Sequence, residues 1–348
     1  MTSLFLPALL SLYLLHAEAC TNFLMENSYR VSVRTKDLGG AHEFGWLTVP
    51  RGAVDPLGRH TRLGFVGAAA ITTNGRVDDS TLSAGLNERG LSCDTQTLLG
   101  TIYEPKTANA SRTLRSLSFC NWALGHFSTS VEVAAALPNV TVWGACGGDD
   151  HDCKHVVVRD ASGQSLVVEW LRGEATVRVD DNDGGRTGFG VLTNEPPFDW
   201  QVENARHYLW KQSLARHATA IPGAFYPDER FLRVAQLKSA MASPSSLREA
   251  VMQAVHVLNS VTVPMGLQRG TDSGPGEGAA DHTIFGVIYD HRTPQLWWRT
   301  QSNQQLQRLR LADADLAIGA APAFLPMDNA LVPWSADAAA ALGPIPSE

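Results

Sequence analysis

Chemistry in this chain centres on a cysteine at position 20. Cys20 follows an apolar run, Leu4 to Leu15, and the small-residue pattern Ala17-Glu18-Ala19. The run is too short for a bilayer, which needs roughly 20 apolar residues. An A-x-A pattern behind such a run reads as a signal-peptidase site. The sequence therefore predicts a signal peptide over residues 1–19, a mature chain opening at Cys20, and a secreted or periplasmic location. Cleavage there would give Cys20 a free α-amine beside its thiol. An α-amine has a pKa of about 8, well below that of lysine, so it can take the thiol proton near neutral pH. One residue then supplies both nucleophile and base. Two other roles compete. A lipoprotein cysteine prefers leucine three residues before it and a small neutral residue two before it, where Ala17 and Glu18 stand here. A structural half-cystine is the other.

From Cys20 the chain reads CTNFLMENSYRVSVRTKDLGG, two strands around Glu26-Asn27-Ser28, the second ending in Arg34-Thr35-Lys36-Asp37. Further on come GLNERGL (Gly85 to Leu91), GFGVLTNEPPFDWQ (Gly188 to Gln201) and IPGAFYPDERFLRV (Ile221 to Val234). Together, in this order, these stretches resemble the choloylglycine hydrolase family, the bile salt hydrolases and penicillin V acylases among the N-terminal nucleophile hydrolases. The resemblance runs from Cys20 to about Leu311. It implies an α+β fold, a four-layer αββα sandwich with antiparallel sheets. It also implies hydrolysis of a linear amide through a thioester, with no cofactor and no metal.

The resemblance assigns roles to individual residues. Arg34 and Asp37 return to the chain start, where an arginine favours a thiolate and a carboxylate can hold the α-amine. Asn194 becomes the oxyanion-hole amide, a fixed donor for developing negative charge. Arg230 becomes a second active-site arginine. Taken singly, these residues read as a surface ion pair, a turn former and a first-turn helix arginine. The family's second oxyanion-hole asparagine falls on Thr97, in DTQTL. A backbone N–H can serve there, while Gln96 points to the opposite face of a strand. The expected substrate is a small N-acyl amide pairing a hydrophobic acyl group with a small polar amine: penicillin V, an N-acyl homoserine lactone or a conjugated bile acid. Two alternatives stay open: a silent secreted binding protein of the same fold, and an acid ceramidase-like lipid amidase or acyltransferase.

These residues need a frame. The 348 residues are 44% hydrophobic and 18% charged, which suits a buried core. A formal charge of −7 leaves no basic footprint, so nucleic acid is not an expected partner. No stretch after the leader is long enough for a membrane helix, and no motif speaks for or against a homo-oligomer. Strands are predicted over RLGFVGAAAI, over a hairpin turning at Asn87-Glu88-Arg89-Gly90, over a second hairpin around Asp160-Ala161-Ser162-Gly163, over ATVRV and GFGVLTN, and over TIFGVIYD with QLWWRTQ. Helices are predicted from Ser111 to Phe127, over SVEVAAAL, over WQVENARHYLWK and DERFLRVAQLKSAMA, and from a capping box at Ser246 through Leu258. Strands and helices come in blocks without βαβ alternation, which favours antiparallel sheets layered with helices. The predicted domain spans 20–315, and the Ala- and Pro-rich stretch 316–348 reads as a loosely docked tail.

Five cysteines are an odd number, so one is left over in an oxidising compartment. Cys146 and Cys153, close together around glycines, predict a disulfide; Cys93 and Cys120 either pair or stay buried thiols; Cys20 is the natural remainder. Other motifs fail. There is no G-x-S-x-G. HEFGW has Trp46 where a zinc-binding helix needs histidine. Asp149 to His155 reads as a solvated turn, and the glycine-rich 270–278 stretch as a loop near the site mouth. Two glycosylation sequons, at Asn109 and Asn139, matter only in a host that glycosylates.

Overall fold

The computed structural model describes residues 20–25, 27–40, 42–147, 150–214, 220–269 and 280–336. The leader, Glu26, the 270–278 loop, Asp149 and the last residues of the tail lie outside the described residues. In chain order the strands of the first half are β1 (Thr21–Leu24), β2 (Val31–Gly39), β3 (Glu43–Val49), β4 (Phe65–Ile71), β5 (Ala84–Asn87) and β6 (Ser92–Thr97). Next come β7 (Thr113–Arg115), α1 (Phe119–His126), α2 (Ser130–Ala136), β8 (Thr141–Trp143), β9 (Cys146–Gly147) and β10 (Asp150–His151). The second half holds β11 (Lys154–Arg159), β12 (Ser165–Leu171), β13 (Glu174–Asp180), β14 (Val191–Leu192), α3 (Phe198–Ser213), α4 (Pro227–Ala240) and α5 (Leu247–Val261). It closes with β15 (Gln268–Arg269), β16 (Ala280–Asp290), β17 (Gln295–Thr300), β18 (Gln307–Arg310) and β19 (Phe324–Pro326).

Two large antiparallel sheets result. One has seven strands, β14-β1-β2-β16-β17-β18 with β15 on β16; the other has eight, β13-β12-β11-β6-β5-β4-β3-β19. Side chains alternate across each strand, and this sorts β1 and β2 into two faces. Phe23, Val31 and Val33 pack with α3, α4 and α5 in one core cluster. On the opposite face Asn22 and Arg34, register partners, reach β6 of the other sheet. Between the sheets Trp46, Phe44 and Val66 meet Phe285, Val287 and Trp298, with Trp46 edge-on to Trp298 at 5.9 Å. Side chains of this size are worth about 1.5–3 kcal/mol each when fully buried. A third cluster joins β6, β11 and β12 to α1 and α2. The layers are therefore helix, sheet, sheet, helix, the expected αββα arrangement.

The expected hairpins form, and the two disulfides are Cys93–Cys120 and Cys146–Cys153, with Cys20 buried and in neither of them. Some elements differ from expectation. The helix foreseen from Ser111 starts only at Phe119. Upstream, Thr113–Arg115 pairs in parallel with Thr141–Trp143, and Arg112 donates to the Asn139 and Pro138 carbonyls. Tertiary pairing there outweighs the helical spacing of the apolar residues. GFGVLTN yields only two strand residues. Gly190 before them has φ +64, a left-handed conformation that stops an extended strand. The α5 helix runs on to Val261; Ser246 caps it, but the Glu249 carboxylate reaches Ser245 instead of completing the box. β3 was not foreseen at all. The Ala- and Pro-rich stretch contributes β19, which pairs with β3, and Met327, whose carbonyl accepts from Trp298 Nε1 at 3.1 Å.

Candidate active site

Cys20 stands immediately before β1, wholly buried. Its backbone nitrogen donates to Asn194 Oδ1 at 2.7 Å. Asn194 follows β14, the neighbour of β1, so strand pairing brings the two residues together from 174 positions apart. Arg230 Nη2 also donates to that oxygen, at 2.8 Å. A guanidinium only donates, so this end of the Asn194 side chain is its oxygen, and the other end is NH₂. That nitrogen donates to the Thr97 carbonyl at 3.1 Å. An amide nitrogen carries two protons, and the second has no acceptor among the described residues. Gln201 holds the Asn194 carbonyl at 2.8 Å and the Pro196 carbonyl at 2.7 Å, fixing the turn into α3.

Arg230 lies in the first turn of α4, which packs on β1 and β14. Its guanidinium also meets the Cys20 carbonyl, the Thr21 hydroxyl at 2.6 Å and the Phe225 carbonyl at 2.9 Å. Burial pulls its pKa below the ordinary arginine value, while Asp37 and Cys20 act in the opposite sense. Asp37, in β2, accepts from Thr283 Oγ1 at 2.7 Å and Thr35 Oγ1 at 3.2 Å. Thr35 Oγ1 in turn accepts from the Thr21 N–H at 2.9 Å, so a short relay joins Asp37 to the start of β1. Burial raises the Asp37 carboxyl to about 6, against the pull of Arg230, Thr283 and Arg34.

Arg34 occupies the other face of the hairpin. It donates to the Thr95 carbonyl at 2.8 Å and lies 3.7 Å from Asp94. Asp94 accepts from Asn22 at 2.8 Å and from Tyr289 at 2.9 Å. Burial raises this carboxyl too to about 6. Arg34 is thus ion-paired with Asp94, while Asp37 feels the charge of both Arg230 and Arg34.

Thr97 ends β6. Gln96 does turn to the opposite face, where its amide serves the Leu192 and Thr193 carbonyls. The Thr97 hydroxyl instead accepts from Lys154 Nζ at 2.9 Å. Cys20, Asn194, Arg230 and Thr97 are therefore joined by direct hydrogen bonds, with Asp37 and Arg34 on flanking positions of β2. Sequence reasoning did not single out Thr35, Thr283, Asp94, Gln201 or Lys154. Their only signal is polarity within strands and a helix that should bury them. Among the described residues, no three His, Cys, Asp or Glu side chains are grouped to hold a metal ion, and no helix is long and apolar enough to cross a membrane.

The profile of the linear amide C–N hydrolases, choloylglycine hydrolase family, matches residues 20–328. A bile salt hydrolase/transferase of Clostridium perfringens is 30% identical over 212 residues, 55% of this chain and 62% of the relative. A penicillin V acylase of Pectobacterium atrosepticum is 24% identical over 260 residues, 69% of this chain and 64% of the relative. The chain spans about six tenths of the first curated relatives it matches, 62% of the clostridial protein and 57% of an uncharacterized protein of Paramecium bursaria Chlorella virus 1. A mutant conjugated bile acid hydrolase of Clostridium perfringens has a solved structure with TM-score 0.71 and 23% identity, covering 88% of this chain and 96% of that one. For the penicillin V acylase of Agrobacterium tumefaciens the values are 0.70, 21%, 88% and 90%. At such identities the likeness is one of fold. The match over 20–328 decides the family, and this chain belongs to the choloylglycine hydrolase family of linear amide C–N hydrolases.

Proposed function

We propose that the chain matures by cleavage before Cys20 and acts outside the cytoplasm as an N-terminal cysteine amidase. The observation that carries this reading is the 2.7 Å contact between the Cys20 nitrogen and Asn194 Oδ1, with Arg230 on the same oxygen. In the uncleaved chain that nitrogen is an amide and has no basicity; cleavage turns it into an amine. The amine takes the thiol proton, and the sulfur attacks the acyl carbon. The carbonyl π pair moves to oxygen, where the second Asn194 N–H and the Thr97 backbone N–H donate to it. Arg230, drawing on Asn194 Oδ1, polarises that amide toward stronger donation. The amine proton passes to the leaving nitrogen, the C–N bond breaks, and a thioester remains. Water then attacks the thioester and regenerates the thiol. Arg34 and Arg230 favour the thiolate, and Asp37 offsets their charge.

The relatives named bile salt hydrolase/transferase and penicillin V acylase support a substrate with a hydrophobic acyl group and a small polar amine. Penicillin V, N-acyl homoserine lactones and conjugated bile acids are the classes to try. The test combines N-terminal sequencing of the exported protein with a panel of chromogenic N-acyl amides, run on wild type and Cys20→Ser. A chain starting at Cys20, and turnover at least about 10³-fold lower in the serine variant, are expected. A retained leader, or equal turnover by both proteins, removes the mechanism.

A further inference from the structure

We propose that Lys154 is a positioning residue for the oxyanion hole, acting through Thr97; the inference rests on the amidase reading above. Thr97 and Lys154 are direct partners across β6 and β11. The Leu98 N–H donates to the Cys153 carbonyl at 3.1 Å, so hydrogen bonding falls on the 98/153 pair and the 97/154 pair is the non-hydrogen-bonded kind. In such a pair the side chains approach closest, and the backbone N–H and C=O of both residues point away from the partner strand. The Thr97 carbonyl points to Asn194 Nδ2. Its N–H therefore lies along the same edge of β6, beside the Asn194 amide.

The side chain locks that geometry. Lys154 is 5% exposed, and its Nζ donates to Thr97 Oγ1 at 2.9 Å. Burying an ammonium is costly unless it is well bonded. Lys154 is itself held from behind, since its N–H donates to the Tyr103 hydroxyl at 3.0 Å and its neighbour Cys153 is in a disulfide. Threonine brings no side-chain amide to this position. A buried ammonium one hydroxyl away fixes the Thr97 side chain and, with it, the backbone that carries the N–H. It also pins the end of the strand, so the donor needs no reorganisation when the oxyanion forms.

The experiment compares wild type, Lys154→Met, Lys154→Arg and Thr97→Val as exported protein. Two quantities are read: steady-state kinetics on an N-acyl amide that wild type turns over, and inhibition by the matching acyl aldehyde. The thiol adds to the aldehyde; an S–C bond forms, the C=O π bond breaks, and the proton ends on the oxygen as a hemithioacetal. This adduct probes the oxyanion hole without amide cleavage. Removing a full oxyanion donor costs about 10²–10³ in kcat, so a residue acting through one is expected to cost roughly 10-fold. Lys154→Met should lower kcat by that factor, keep KM within about twofold, and weaken the aldehyde equally. Lys154→Arg should recover most of the loss, and Thr97→Val should match the methionine variant. A methionine variant with the wild-type melting curve, kcat and aldehyde affinity overturns the inference, as does a rise confined to KM. If the methionine variant does not fold, Thr97→Val decides by the same kinetic split. A wild type that cleaves no amide on the panel sinks the amidase reading and this inference with it. An active wild type with an equally active Lys154→Met sinks the inference alone.

Discussion

The carboxyl of Asp37 is raised to about 6, chiefly by burial, from an ordinary value of 3.8. Two consequences with opposite signs follow. Its charge offsets Arg230 and Arg34 only when ionised, so kcat/KM should climb as pH rises through about 6, and Asp37→Asn should lose both the limb and most of the rate. Stability runs the other way. Between 3.8 and about 6 the folded chain binds the Asp37 proton more tightly than the unfolded chain does, so this residue's contribution falls as pH rises across that window. Asp37→Asn should therefore gain in melting temperature relative to wild type between pH 4 and pH 7, while losing turnover. Thermal scans and chromogenic assays on the same samples check both. At this scale the sequence carried much of the site. Cys20, Asn194 and Arg230 sit in recognisable motifs and meet in space. The supporting hydroxyls of Thr35 and Thr283 were illegible, because a threonine inside a strand looks the same whether it meets a carboxylate or the core.

The β5–β6 hairpin sets where Thr97 ends up. Its turn was legible because Asn87 and Gly90 are the residues such a turn demands. Asn87 Oδ1 accepts from the Leu91 N–H at 3.0 Å, and Gly90 has φ +84. A side chain there would also place its Cβ 2.0 Å from the His291 carbonyl, which is backbone and cannot step aside. Gly90→Ala should therefore cost about 1–3 kcal/mol or more, since strain at a positive φ adds to the clash. Urea denaturation measures it, and a variant within about 0.5 kcal/mol of wild type, the range of an ordinary surface substitution, would show that the turn relaxes. Elements whose fate depends on distant partners were harder to read. The segment before α1 carries helical spacing, yet it pairs with β8. β3 is hard to read because HEFGW begins like a zinc-binding motif, although Phe44 and Trp46 face one core. β19 hides in a stretch of Ala and Pro and exists only because β3 offers an edge.

Over the whole molecule, the blocks of strands and helices announced the layers, and the two runs around Glu26-Asn27-Ser28 announced the β1–β2 hairpin. The order of strands across each sheet could not be read, because it depends on pairings between residues far apart, such as Phe23 with Val191. The odd cysteine count was informative, since two bridges take the other four cysteines and leave Cys20 outside them. Cys93–Cys120 ties β6 to α1 across 27 positions, a closure worth about 3.5 kcal/mol in the chain-entropy account. Cys146–Cys153 ends one residue before Lys154. Routine handling of thiol enzymes, with millimolar dithiothreitol to keep sulfur reduced, is therefore double-edged for this protein. Mild reductant should restore an oxidised Cys20, whereas stronger or longer treatment opens the two braces behind β6. Activity plotted against reductant should rise and then fall, with the melting point dropping only on the second limb. Purification buffers chosen by habit would then report a weaker, softer protein than the doubly bridged one.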